Sequence, residues 1–141
     1  MATRRRRGTA FERACEDARD RASRFSKGDL ESFDDAGPEV FVGLYAFLHS
    51  SVYGVGPGEL SDSKIFLGAR SAARKMLVDE FDGRQIRMVT FMQWVWTRER
   101  ARMRARAGAG EFRIGWRFQF ASRTLVTDHR VSLAHRGRAT K

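Results

Sequence analysis

Five arginines stand within nine residues at Arg98, Arg100, Arg102, Arg104 and Arg106, and Glu99 is the one acid among them. Guanidinium groups at this density suit one task in particular, the displacement of counterions from a polyanion such as a phosphodiester backbone. A second basic run, Arg4, Arg5, Arg6 and Arg7, lies near the start of the sequence, and Arg113, Arg117 and Arg123 follow the first run at wider spacing. These arginines are the candidate contacts for DNA or RNA. On a helix, residues two apart point about 200° away from each other, so the run 98–106 predicts a charged sleeve rather than one narrow stripe.

The remaining polar chemistry is thinner. Asp79, Glu80 and Asp82 lie together, and Glu59 with Asp62 would join them if the intervening helix folded back. Such a set suits magnesium in a metal-dependent nuclease, the enzymatic alternative, although carboxylates at helix ends equally serve capping. His49, His129, His135 and the single Cys15 have no zinc-ligand spacing. The GVGPGE run lacks the Gly-Lys-Ser/Thr ending of a phosphate loop. No cofactor is expected, and no nucleophile–base pair is legible, so the leading expectation is non-enzymatic.

A chain of 141 residues with 42% hydrophobic content supports one domain with a real core. The net charge of +10 is unevenly spread: residues 1–27 hold nine basic and four acidic residues, 28–83 four and ten, and 84–141 fourteen and three. Arginine outnumbers lysine by 23 to 4, the acidic stretch included, so arginine abundance alone does not argue for phosphate binding. One cysteine forms no internal disulfide and fits a reducing compartment, the cytoplasm, with nucleoid association if the partner is DNA. No apolar run approaches a membrane span, so no membrane partner is expected.

The elements that must position these residues follow from periodicity. Thr9 and Glu12 have capping-box spacing, and Phe11, Cys15, Ala18, Ala22 and Phe25 continue at helical steps toward Gly28. DLESFDDAGPE reads as a linker or short turn. A second helix is predicted from Pro38 or Glu39 to Gly54, and a third from Ser61 or Asp62 to the Asp82-Gly83 turn. The fourth, over 85–106, is expected to be the central element, because Ile86, Met88, Val89, Phe91, Met92, Trp94, Val95 and Trp96 leave almost no polar face. That excess predicts a homo-oligomer with Met92, Val95 and Trp96 at its interface.

After Gly108-Ala109-Gly110 the period changes to two: Phe112, Ile114, Trp116, Phe118 and Phe120 alternate with polar residues or glycine. This predicts a strand paired with 123–127 or with HRVSL as a β-hairpin, Trp116 being a core residue before it is a stacking platform. The expected architecture is mainly α (α+β): a bundle-like core of about four helices followed by a short C-terminal β-hairpin. It comprises a flexible basic arm over 1–8, one domain over 9–133 and a flexible basic tail over 134–141. A helix-turn-helix reading of helices three and four is weak, since both are longer and more apolar than a groove reader needs. The functional expectation is weakly sequence-specific nucleic-acid binding by an accessory protein of DNA packaging, recombination, replication or regulation. The contrasting expectation is an adaptor that assembles through the apolar helix and docks its basic ends on an acidic protein partner.

Overall fold

The first four helices begin and end on residues whose chemistry sets the boundary. A computed structural model of the chain describes residues 9–105 and 113–139, which form six α-helices and a short 3-10 turn. Helix α1 (Ala10–Ser26) opens with a full capping box: Thr9 Oγ1 accepts the Glu12 N–H at 3.1 Å and Glu12 Oε1 accepts the Thr9 N–H at 3.0 Å. The acidic segment after it is a packed turn rather than a linker. Phe33 is buried with its ring 5.9 Å from Phe25 and 6.2 Å from Phe41, and Arg21 donates to the Ser32 carbonyl, Asp17 and Asp35.

Helix α2 (Pro38–Tyr53) carries proline in its first turn and stops on left-handed Gly54. Seven consecutive residues, Val40 to Ala46, are buried, so this helix is enclosed on every side. Helix α1 crosses it where Gly43 meets Ala14 and Cys15, and a Cβ at Gly43 would stand 2.2 Å from the Ala14 carbonyl oxygen. The 3-10 turn Gly58–Ser61 leads to α3 (Ser63–Phe81), capped by Asp62, whose Oδ1 accepts the Lys64 and Ile65 N–H groups. Asp82 and Gly83 both take positive φ and reverse the chain into α4 (Gln85–Ala105).

The apolar half of α4 is covered by the chain itself. Met92, Val95 and Trp96, expected at an oligomer interface, are 0%, 2% and 1% exposed within a single chain. Of the apolar stretch that motivated self-association, Met88, Val89, Phe91, Met92, Val95 and Trp96 are core residues, and Ile86 and Trp94 are partly buried.

The expected C-terminal β-hairpin does not form. Among the described residues there is no strand: 113–115 has no regular secondary structure, α5 spans Trp116–Ala121, and α6 spans Arg123–Ala139. The alternating letters misled because burial here follows helical steps. Trp116, Gln119 and Phe120 face inward while Phe118 is left 36% exposed. Gln119, which a strand reading assigns to solvent, is buried with its Oε1 accepting the Trp96 indole N–H at 3.0 Å, while its Nε2 has no partner among the described residues. In α6 the buried set is Leu125, Val126 and His129, and Val131 and Leu133 are exposed, where a strand would have placed them beside His129. Residues 134–139, expected as a loose tail, continue this helix. Among the described residues, six helices and no sheet thus replace four helices and a hairpin.

Candidate functional site

Helical geometry divides the arginine run into two sides of α4. Arg98 and Arg102, one turn apart, face α5 and α6; Arg100 and Arg104 lie on another side, where Arg100 Nη2 donates to Ser51 Oγ of α2 at 3.1 Å. Arg98 and Arg102, with Val95 and Glu99, form one wall of a groove of about 330 Å³. Its other wall is Ile114 and Phe118 with Thr124, Leu125 and Asp128 of α6. Arg113 and Arg117 stand beside it at the start of α5. Arg4, Arg5, Arg6, Arg7 and Arg106 lie outside the described residues.

A buried carboxylate holds this wall in place. Glu99 accepts Arg102 Nε at 2.8 Å and Nη2 at 2.5 Å, and its Oε2 also accepts the Tyr53 hydroxyl at 2.6 Å. Burial pushes the Glu99 carboxyl upward, but the hydrogen bonds from Arg102 and Tyr53 outweigh it and keep the group below the usual carboxylate range. Its partner Arg102 is held charged chiefly by the same hydrogen bonds. Tyr53 in turn accepts the Ile114 N–H at 2.8 Å, while Tyr45 donates to the Ile114 carbonyl at 2.8 Å. Both polar backbone groups of Ile114 are therefore held by tyrosines of α2.

Three arginines lie over aromatic faces: Arg98 4.5 Å from the Trp94 centroid, Arg113 5.1 Å from Tyr53 and Arg117 4.9 Å from Trp116. Ion pairs lie both within this region, at Arg98 and Arg102, and outside it. Arg21 pairs with Asp17 and Asp35, Arg24 with Asp20 and Asp29, Arg87 with Asp82 and Arg130 with Glu80. Among the described residues, Arg100, Arg104, Arg113, Arg117 and Arg123 meet no carboxylate within 4.0 Å, nor do Arg19, Arg70, Arg74 and Arg84 elsewhere, and Arg98 reaches Asp128 only at 4.0 Å.

The carboxylates proposed for metal chemistry do not come together. Asp62 and Asp79 sit at opposite ends of α3, roughly 25 Å apart by helical rise. Asp79 pairs with Lys75, and no three His, Cys, Asp or Glu side chains among the described residues converge on one point. Burial raises the Cys15 thiol to about 11, so it is not a thiolate at neutral pH.

Two histidines are enclosed in the core. His49 Nδ1 donates to the Val55 carbonyl at 2.7 Å, and its ring lies against Tyr45, Tyr53 and Trp96; His129 packs against Phe91 and Trp94. Burial lowers both pKa values, with Arg136 and Arg130 adding to the effect at His129. A lowered folded pKa means that the unfolded chain takes up protons first as pH falls. Their contribution is therefore present above about 6.5 and is lost as pH falls below it, whereas that of Glu99 is lost only under more acidic conditions. The urea midpoint is expected to be lower at pH 5 than at pH 7.5. His129→Phe, which keeps a ring against Phe91 and Trp94, should remove part of that fall; an identical fall in the variant would show that His129 titrates normally.

Sequence reasoning missed Tyr53 and the buried role of Glu99. A signal was present: Met88, Met92, Val95, Glu99 and Arg102 recur at steps of four and three, so the carboxylate stands on the same inward stripe as the core. No helix among the described residues is long and apolar enough to cross a membrane. No protein-family model matches the chain, and no curated protein or solved structure shows significant similarity to it.

Proposed function

We propose that this protein binds nucleic acid without catalysing a reaction, engaging phosphates with the basic end of α4 and the adjoining start of α5 and α6. The observation that carries this reading is the density of arginines at one end of the fold: Arg98, Arg100, Arg102 and Arg104 on the last turns of α4, with Arg113 and Arg117 at the approach to and first turn of α5. Of these, Arg100, Arg104, Arg113 and Arg117 meet no carboxylate within 4.0 Å among the described residues, which leaves their charge to act on an external anion. Aromatic faces under Arg98, Arg113 and Arg117 limit the conformations that these side chains must give up on binding. By charge, the Arg4–Arg7 run adds to the same polyanion contact. The adaptor reading has weaker support, because the apolar helix that was to drive assembly is already covered.

Binding through six or more phosphates should weaken by about three to five orders of magnitude between 50 and 200 mM salt. Arg100, Arg104 and Arg117 replaced together by alanine should reduce the slope of log affinity against log salt by about two to three, without loss of helical structure. The measurement is fluorescence anisotropy with labelled duplex DNA, single-stranded DNA and RNA. Absence of binding to all three at micromolar protein and 50 mM salt defeats the proposal.

A further inference from the structure

We propose that the seam where α5 lies along α3 is a further track for a sugar–phosphate backbone, which makes double-stranded nucleic acid the preferred ligand; this rests on the nucleic-acid reading above. Three contacts locate the seam. A Cβ at Gly68 of α3 would stand 4.0 Å from Cη2 of Trp116, the Arg117 guanidinium lies 4.9 Å from the centroid of that same Trp116, and Lys75 shares a cleft of about 110 Å³ with Ser122 and Arg123. Lys64 stands one turn before Gly68 on the same row of α3. The cations Lys64, Lys75, Arg117 and Arg123 therefore border one furrow. Among the described residues Lys64, Arg117 and Arg123 meet no carboxylate within 4.0 Å, whereas Lys75 has Asp79 at 3.6 Å. Of the other acids nearby, Glu80 is taken by Arg130, and Asp62 is turned onto the helix end, where it accepts the Lys64 and Ile65 N–H groups.

What lines the furrow decides the kind of partner. Gly68, Ser71 and Ala72 on α3 and Ala121 on α5 are small, so a polymer backbone can come close to both helices. A protein partner needs an apolar anchor at the centre of its contact, and the rings beside the furrow, Trp116 and Phe120, are 8% and 2% exposed. The exposed aliphatics of α3, Leu67 and Val78, stand roughly 80–100° round the helix from Gly68 and so off the furrow. The same burial of rings disfavours a single strand, whose bases bind by stacking on open aromatic faces, and the cleft is too small to take a base. What remains is charge at fixed positions. Lys64 and Lys75 lie roughly 16 Å apart along α3 by helical rise, a length over which one strand of a duplex presents about five phosphates. A duplex is stiff and keeps those phosphates in register without stacking on the protein.

The test uses the full chain from 50 to 200 mM salt with labelled oligonucleotides of one length and sequence: duplex DNA, duplex RNA and the single DNA strand. The better duplex should bind at least about ten-fold more tightly than the single strand at 50 mM salt, and the two duplex arms tell which sugar is preferred. Lys64→Ala combined with Arg123→Ala should reduce the slope of log affinity against log salt on the duplex by about two. Arg70→Ala combined with Arg74→Ala removes as much charge from the other flank of α3 and should change the slope by less than about half of that. Asp79→Asn, which frees Lys75, should strengthen duplex binding about two- to five-fold. All five positions face solvent, and circular dichroism checks that each variant keeps its helices. Equal loss of slope in the two double variants, or no loss in either, overturns the furrow and leaves phosphate binding elsewhere standing. Single-strand binding as tight as duplex binding overturns the duplex preference. Failure to bind any of the polymers overturns the broader reading itself.

Discussion

Gly43→Ala is expected to destabilise the protein by about 3 kcal/mol, although helix propensity alone would favour alanine by up to about 1 kcal/mol. The new Cβ would lie 2.2 Å from the Ala14 carbonyl oxygen, 2.5 Å from its carbon and 2.8 Å from the Cys15 nitrogen. All three are backbone atoms, so no side-chain rotation relieves the overlap, and α1 must move as a body. Movement would in turn open the contact that buries Ala14 and Ala18. Against a total stability of roughly 5–15 kcal/mol this is a large fraction. Urea unfolding followed by circular dichroism measures it; a stable or stabilised variant would mean that α1 and α2 cross farther apart than described.

Trp96→Ala should cost about 3–5 kcal/mol, the range for removing a fully buried tryptophan. Its ring lies 5.8 Å from Tyr45, 5.9 Å from His49 and 5.5 Å from Tyr53, so truncation leaves a cavity among rings drawn from α2. It also removes the indole N–H that Gln119 accepts, in a residue whose amide nitrogen already has no partner among the described residues. Trp96→Phe separates the two contributions, since it keeps much of the ring volume and loses the donor, and should cost about 1–3 kcal/mol. Equal stability of the phenylalanine variant and the wild type in urea would show that Gln119 does not depend on Trp96.

The parts of the fold that could be read from the amino acids were those with local causes. Thr9 with Glu12, Pro38 with Gly54, and Asp62 with Asp82-Gly83 each fix a boundary through contacts within a few residues, and each helix starts or stops where those residues say. The C-terminal region has no such local marker. There a hydrophobic alternation competed with a helical subset, Trp116 and Phe120, and a long-range hydrogen bond from Trp96 to Gln119 accompanies the helical outcome. The site divides in the same way. The arginines were visible as charge, but their separation into two sides, and the burial of Glu99 beneath them, depend on which face of α4 meets α2 and α5. Self-association was inferred from apolar surface on one helix considered alone. The cover turned out to come from helices of the same chain.

The tyrosines that grip Ile114 assign α2 a role that its sequence of apolar letters does not suggest. Tyr45 and Tyr53 are eight residues apart, a little over two turns, so both hydroxyls project from one edge of a helix that is enclosed by the rest of the protein. They seize the N–H and the C=O of a single residue, which fixes that residue along the helix axis as well as across it. Ile114 is also part of the groove, yet α2 contributes nothing to the groove's lining. Helix α2 therefore works as the fixed jaw of a calliper, gauging from behind how far α5 stands from α4. The spacing of the arginine wall is thus set by a helix whose own middle, Val40 to Ala46, is buried.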